Sequence, residues 1–239
     1  MRLTAARSLL DGSDVDVVPP PPATAEPSAA ALWASALIQH RQTILPKRLG
    51  EPGPDEHELA MILEAAAAAP DHGELVPWRF VIVTAAARER LADVFAAALV
   101  ERDAAAAAAE IGRAREKAFR APALMLAVVR NGSAADEVPT SERLISAGCA
   151  LQNMLLMGTA LGFGSALTSG KALHSAGLRA LFRLAPDEQA LCFVSFGTAV
   201  TRKPARTRPQ PSHYVSSLAP DHDPADPPLI PATGTGTGI

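Results

Sequence analysis

The longest apolar pattern in the sequence is helical and covers residues 141–161. Apolar side chains recur along it at intervals of three and four residues, and Gly148 and Gly158 leave room for close neighbours. A helix with apolar and small residues on several sides needs packing partners on several sides. The pattern therefore predicts a long, central, buried helix around which the rest of the chain must fold.

Shorter patterns on both sides of this helix predict a mixture of helices and strands. Ser28 is a predicted N-cap, Asp55 and Glu58 match a capping box, and Thr84 is a predicted cap for a helix around residues 91–99. The other predicted helices cover residues 28–38, 55–69, 103–119 and 172–182, and the predicted strands cover residues 78–83, 124–129, 165–168 and 191–196. Because these elements do not alternate as regular βαβ units, the pattern favours an α+β fold over a doubly wound sheet.

The two ends of the chain differ in composition from its middle. Residues 1–27 include four successive prolines and several aspartates, and residues 219–239 are rich in proline, aspartate and alternating threonine and glycine. Such segments bury too little apolar surface to offset the entropy lost on ordering. The sequence therefore predicts a disordered leader over 1–27, one domain over 28–218 and a flexible tail over 219–239.

Charge and residue usage exclude several classes of partner. The 239-residue chain has a net charge of −3, which provides no overall field for attracting nucleic acid. No run reaches the roughly 20 apolar residues that cross a bilayer, and no secretory signal is present, so we expect no membrane partner and a cytoplasmic protein. Cys149 and Cys192 lie apart in apolar runs and the histidines are scattered, so we expect buried thiols and no metal site.

The common catalytic motifs are missing from the sequence. Gly162 and Gly164 form an incomplete dinucleotide fingerprint that follows a helix instead of a strand. There is no Walker loop, no G-x-S-x-G elbow and no H-E-x-x-H pair. Rossmann-type binding, serine hydrolysis and zinc hydrolysis therefore lack their required residues.

Three loops carry residues that could bind a ligand. The first holds Arg41, Gln42 and Thr43, whose guanidinium, amide and hydroxyl groups suit a phosphate monoester, although a solvated basic linker has the same composition. The second covers residues 69–78 and presents acidic and imidazole groups between a helix and a strand, as an ordinary helix stop also would. The third covers residues 202–209, with four cations that suit either an anion or solvent.

Together and in this order, the three loops and the G-x-G that ends the central helix resemble the nitroreductase-like, FMN-dependent flavoprotein superfamily. The matching strings are R-Q-T at residues 41–43, A-P-D-H and P-W within residues 69–78, and R-x-R-P at residues 206–209. The A-P-D-H version is similar to the branch of small NAD(P)H nitroreductases. The likeness covers about residues 31–217.

The resemblance implies a fold and a cofactor site. The fold is an α+β three-layer sandwich, a mixed and mostly antiparallel sheet flanked by helices around the long central helix, in an intertwined homodimer with FMN at the subunit interface. In this chain the ribityl phosphate would meet Arg41, Gln42, Thr43, Arg206 and Arg208, the flavin ring would meet Thr168, Ser169 and Gly170, and His72 would come from the other subunit. Val76 stands where many relatives have a glutamine that bonds the ring, and either Lys47 or Arg48 would supply a cation near the N1 edge.

The resemblance also implies a ping-pong reaction. NAD(P)H would pass hydride to flavin N5 and leave, and a nitroaromatic, quinone or similar small electrophile would then accept it in the same pocket. No catalytic side chain is implied, because the cofactor carries the redox chemistry. Two alternatives stay open: a flavin-binding storage or sensing module without turnover, and a monomeric helical interaction protein whose cationic loops are solvated.

Overall fold

The computed structural model describes residues 26–133, 136–202, 204 and 206–216. The predicted leader, except for residues 26 and 27, and the predicted tail lie outside the described residues, as does Lys203. The chain divides into two compact units, Met1–Arg41 and Gln42–Ile239.

The first unit contains the helix α1 (Ala29–His40). The Oγ atom of Ser28 accepts a hydrogen bond of 3.2 Å from the backbone N–H of Ala31, so the predicted N-cap is confirmed. No residue of α1 is buried, and Trp33 is 77% exposed. Among the described residues, α1 therefore leaves apolar side chains exposed.

The second unit is built on a five-stranded sheet. Its strands are β1 (Leu49–Gly50), β2 (Trp78–Ile82), β3 (Ala123–Arg130), β4 (Gly164–Thr168) and β5 (Glu188–Ala199). β5 pairs antiparallel with β1, β3 and β4, and β3 pairs antiparallel with β2. A parallel bridge joins Thr43 to Ser165, so the predicted mixed, mostly antiparallel sheet is confirmed.

Helices cover both faces of this sheet. They are α2 (Glu56–Ala66), α3 (Arg88–Arg102), α4 (Ala108–Glu116), α5 (Thr140–Ala160) and α6 (Ala176–Leu181). Because side chains alternate across a strand, Leu126 and Phe193 pack with α3 and α6 on one face, while Met125 and Val194 pack with α2 and α5 on the other. The result is the predicted three-layer sandwich.

The central helix α5 differs from its prediction in how it is buried. Ala150 and Met154 lie in the core, and Gly158 packs so closely on β5 that an added Cβ would lie 2.5 Å from Cε1 of Phe196. On the opposite side Ile145 is 64% exposed, and Gly148 is exposed as well. Within one chain α5 is therefore buried along one face and not on several sides.

Local hydrogen bonds explain which predicted element boundaries are confirmed and which are wrong. The capping box is confirmed, because the side chains of Asp55 and Glu58 each accept the other's backbone N–H, at 2.8 and 2.9 Å. The side chain of Thr84 makes no capping bond, since a 3₁₀ turn at Ala85–Ala87 precedes α3. α4 starts at residue 108 and not at 103, because the carboxylate of Asp103 accepts the N–H of Ala105 and holds a turn.

Two further observations concern the predicted thiols and the predicted absences. Cys192 is buried, which raises the pKa of its thiol to about 11, whereas Cys149 is only partly buried. No helix among the described residues is long and apolar enough to cross a membrane. The same part of the chain contains no group of three or more histidine, cysteine or acidic side chains that could hold a metal ion.

Candidate functional site

A cleft with a volume of about 780 Å³ opens in the second unit on the face of the sheet that carries α3. Its lining comes from the loop before β1, from α3, from α4 and the turn after it, from β3 and β5, and from the segment after β4. A cavity of this size accommodates a cofactor or another small molecule.

The floor of the cleft is mainly apolar and belongs to the sheet. Leu124 of β3 and Phe193 of β5 line it, together with Phe95 and Leu99 from α3. Ser195 follows Phe193 on the same face of β5 and is 1% exposed. Its hydroxyl has no hydrogen-bond partner among the described residues, so the floor includes one unsatisfied polar group. Such a floor suits a flat aromatic ring that carries some polar atoms.

The walls of the cleft are strongly basic. Six cations line it, Lys47, Arg102, Arg113, Lys117, Arg120 and Lys171, against the single carboxylate of Glu110. The Arg113 guanidinium lies 4.0 Å from Glu110, and the Arg120 guanidinium lies 3.9 Å from Glu116, so both contacts are long. The other four cations make no ion pair with a described residue. On a chain of net charge −3, this concentration gives the cleft a positive potential that attracts anions.

Helical spacing places three of these cations together. Arg113, Lys117 and Arg120 are four and three residues apart, and α4 continues at Lys117–Phe119 as a 3₁₀ turn. Residues at these intervals lie on one side of a helix. These three residues, like Arg102 and Lys171, were not predicted from the sequence, because each stands alone as an ordinary charged residue. The repeated basic spacing was the one signal available.

The predicted flavin-ring loop lies in this cleft. Thr168, Ser169 and Gly170 all contribute to the lining, and Thr168 is held at the end of β4 by pairing with Phe193. Of the two candidate cations near the ring, Lys47 lines the cleft, whereas Arg48 is not among the described lining residues.

The predicted phosphate-binding residues lie in three segments. Arg41 follows α1, and its backbone N–H donates to the carbonyl of Leu37. Gln42 and Thr43 begin the second unit, where the bridge from Thr43 to Ser165 fixes them beside the start of β4. Arg206 and Arg208 lie in an exposed segment after β5 and are not among the described residues that line the cleft.

His72 and Val76 lie in a separate loop before β2. The Nδ1 atom of His72 is 2.7 Å from Oε2 of Glu142, in the first turn of α5, and this hydrogen bond and the carboxylate charge raise the pKa of the imidazole. The N–H of Val76 donates to Oδ2 of Asp71 at 2.7 Å, although Val76 has a φ of 44°. A β-branched residue is strained in this left-handed region. Neither His72 nor Val76 is among the described residues that line the cleft.

Comparisons with known proteins agree on one family. A model described as "Nitroreductase family" matches residues 38–198. The chain is 34% identical over 173 residues to "Putative NAD(P)H nitroreductase YdjA" of Escherichia coli strain K12, a match that covers 71% of this chain and 91% of that protein.

Solved structures agree on the fold. A nitroreductase-like family protein from Bacillus cereus superimposes with a TM-score of 0.67 at 16% identity and covers 82% of this chain and 98% of its own. The FMN-dependent nitroreductase NfnB from Mycobacterium smegmatis, solved in complex with NADPH, gives a TM-score of 0.61 at 19% identity. That match covers 80% of this chain and all of NfnB.

Proposed function

The chain belongs to the nitroreductase family, a family of oxidoreductases, and from this membership we propose that it is an FMN-dependent NAD(P)H oxidoreductase. The proposed acceptor is a nitroaromatic, a quinone or a similar small electrophile, reduced by a ping-pong mechanism. One observation carries the proposal: the loop of residues 168–170 lines a cleft of the size of a cofactor site, with an apolar floor and basic walls.

The residues present fit FMN by their chemistry. The unpaired hydroxyl of Ser195 on an apolar floor suits a heteroaromatic ring, and the donors of Thr168, Ser169 and Gly170 suit its polar edge. Lys47 would supply a positive charge near the N1 edge. We assign the phosphate group to Arg41, Gln42, Thr43, Arg206 and Arg208. Guanidinium groups bind phosphate through paired, charge-assisted hydrogen bonds, which are the strongest that these side chains form.

When bound, FMN supplies the hydride chemistry, since it accepts hydride from a nicotinamide and returns it to an electrophile. The protein's part in this proposal is positioning: it holds donor and acceptor in turn over one ring and supplies fixed charges around them. No side-chain nucleophile is required. Because the donor is an intracellular cofactor, we also propose that the protein works in the cytoplasm.

We further propose that the active form is a homodimer with the flavin at the subunit interface. Two observations on the single chain support this assembly. Trp33 on α1 is 77% exposed, and Ile145 on α5 is 64% exposed. Leu32 and Ile38 on α1 are exposed as well, and several exposed apolar side chains on one helix suit an interface. His72 and Val76, which do not line the cleft of their own chain, would then act at the site of the other subunit.

A spectrum of the purified full-length chain tests the proposed function. We expect a yellow protein with a flavin absorbance spectrum that NAD(P)H bleaches in the absence of oxygen. The double substitution Arg41→Ala and Arg208→Ala should release the flavin, whereas Arg90→Ala, an exposed arginine on α3, should retain it.

Two outcomes would contradict parts of this proposal. A colourless protein that does not take up added FMN would exclude the cofactor. A yellow protein that both nicotinamides reduce only slowly in a stopped-flow experiment would instead indicate a storage or sensing module. Val76 stands where many relatives have a glutamine, and its backbone conformation is strained. This observation would favour the storage or sensing function.

A further inference from the structure

The proposed function leaves most of the basic wall of the cleft without a role. FMN accounts for Lys47, and its phosphate is assigned to residues outside the described lining. Arg102, Arg113, Lys117, Arg120 and Lys171 remain. We call three of them the α4 basic face: Arg113 on α4, Lys117 at the start of its 3₁₀ turn and Arg120 directly after that turn.

The α4 basic face brings three like charges into one part of the cleft. Arg113 and Lys117 are like charges four residues apart and repel each other, although both lie at the C-terminal end of α4, where the helix dipole favours cations. Lys117 has no ion-pair partner among the described residues, and the nearest carboxylate contact of Arg113 is the 4.0 Å one to Glu110. A bound anion with several charges would offset this repulsion.

The cleft combines two kinds of surface. Phe193, Leu124 and Leu99 form the apolar floor on which the flavin ring is proposed to lie, and the α4 basic face forms a part suited to phosphate. A ligand that satisfies both has an aromatic ring at one end and several phosphate oxygens at the other. FMN has this chemistry too, but its phosphate is assigned to residues outside the described lining. The second ligand of the proposed reaction, a nicotinamide dinucleotide, has the same chemistry and needs a phosphate site. If its ring stacks on the flavin beside residues 168–170, the α4 basic face in the same cleft offers a site for its phosphates.

We propose that the α4 basic face binds the phosphate groups of the nicotinamide donor, including a 2′-phosphate, and so makes the protein select NADPH over NADH. The inference rests on the proposed function and deepens it by naming the donor. The 2′-phosphate adds about −1.5 to −2 charge to the ligand. The surplus of positive charge in the cleft attracts this extra negative charge. Arg113 can bind the 2′-phosphate through two parallel N–H groups.

The direct test compares NADPH and NADH as reductants of the flavin-loaded full chain. We expect kcat/KM for NADPH to exceed that for NADH by at least about 10-fold, equivalent to about 1.4 kcal/mol. In Arg113→Gln with Lys117→Gln, KM for NADPH should rise about 10- to 100-fold with little change in kcat, and KM for NADH should rise less. Raised salt should weaken NADPH more than NADH. Arg113 is 61% exposed and Lys117 is also exposed, so both variants should fold.

A binding measurement separates this inference from the proposed function. Calorimetric titration of the full chain should show that adenosine 2′,5′-bisphosphate binds more tightly than adenosine 5′-monophosphate, and the double variant should lose that difference. This probe needs no turnover, so a protein without flavin or activity can still pass or fail it. Arg90→Gln, on α3 and outside the described lining, is the matched control and should behave as the wild type.

Three results would overturn the inference. Equal use of NADPH and NADH by the wild type would exclude a 2′-phosphate site. Loss of FMN from the double variant would show that the α4 basic face holds the flavin phosphate instead. A variant that changes KM for 4-nitrobenzoate but not for nitrobenzene, with both donors unaffected, would assign the basic face to an anionic acceptor.

Discussion

The ion pair between Arg79 and Glu188 ties β2 to the start of β5 across the intervening strand. Its two hydrogen bonds measure 2.7 and 2.8 Å, and the Glu188 side chain is only 8% exposed. These bonds, with the N–H that Ala185 donates, lower the pKa of the Glu188 carboxyl to about 2. The carboxylate is thus strongly favoured over the neutral acid in the folded chain.

Glu188→Gln should therefore destabilise the protein in a pH-dependent way. At pH 7 we expect the free energy of unfolding to fall by about 2–3 kcal/mol. The wild-type carboxyl has a lower pKa folded than unfolded, so its contribution is complete above about pH 4.5 and is lost as the pH falls toward 2. Urea denaturation at a series of pH values measures the difference between the two proteins.

The neighbouring Asp187→Asn is the matched control. Its contact with Arg130 is 3.5 Å long and more than half exposed on both sides, so its loss should cost less than about 0.5 kcal/mol. A Glu188→Gln effect that stays constant from pH 7 to pH 3 would contradict the assigned cause.

For individual residues, the sequence indicated candidate ligand-binding loops but not which side chains contact each other. Thr168 and Gly170, which the family resemblance places along the flavin ring, line the cleft. Arg79 and Glu188 are 109 residues apart, and neither lies in a motif, so only the pairing of β3 with both β2 and β5 reveals their contact.

Among the elements, α5 depends on a single glycine for its packing against β5. A Cβ at position 158 would lie 2.5 Å from Cε1 and 2.8 Å from Cδ1 of Phe196, which is fully buried and has little room to move. Gly158→Ala should therefore lower the free energy of unfolding by about 1–3 kcal/mol, although alanine is the better helix former. Chemical denaturation followed by circular dichroism gives the value.

Gly112→Ala on α4 provides the comparison, because no heavy atom lies within 4 Å of its added Cβ. There the same substitution should stabilise the protein by up to about 1 kcal/mol. Equal effects at the two positions would show that the contact with Phe196 is not limiting. In the double variant Gly158→Ala with Phe196→Leu, part of the cost of the alanine should be recovered.

Helices were predicted well where a local signal marks their ends. The capping box of α2 lies within four residues, and Gly162, at a φ of 91°, follows α5 where the sequence predicted the break. β1 was not predicted, since it is two residues long and is defined only by its pairing with Ala199 and Thr198. A strand as short as β1, which is defined only by pairing with a distant segment, leaves no periodic pattern in the sequence.

For the molecule as a whole, the burial of α5 is the point where the sequence and the single chain differ. The helical pattern predicted packing on several sides, yet Ile145, Gly148 and Gln152 form an exposed stripe at intervals of three and four residues. The apolar pattern of a helix reflects every face that becomes buried, including a face that another subunit buries. The prediction of burial and the observed exposure are compatible if a second copy covers this stripe.

Ile145→Glu tests that assembly. Light scattering after gel filtration should give the wild type twice the 24.8 kDa mass of one chain and the variant the mass of one chain. An unpaired carboxylate at a buried interface costs several kcal/mol, so the dissociation constant of the dimer should rise by at least about 100-fold. The monomer should also lose FMN, because the proposed site needs both subunits. Val100→Glu on α3, also an exposed apolar position at 41%, should remain dimeric and yellow. A wild-type monomer that retains flavin would exclude the interface site, and an Ile145→Glu dimer would place the contact elsewhere.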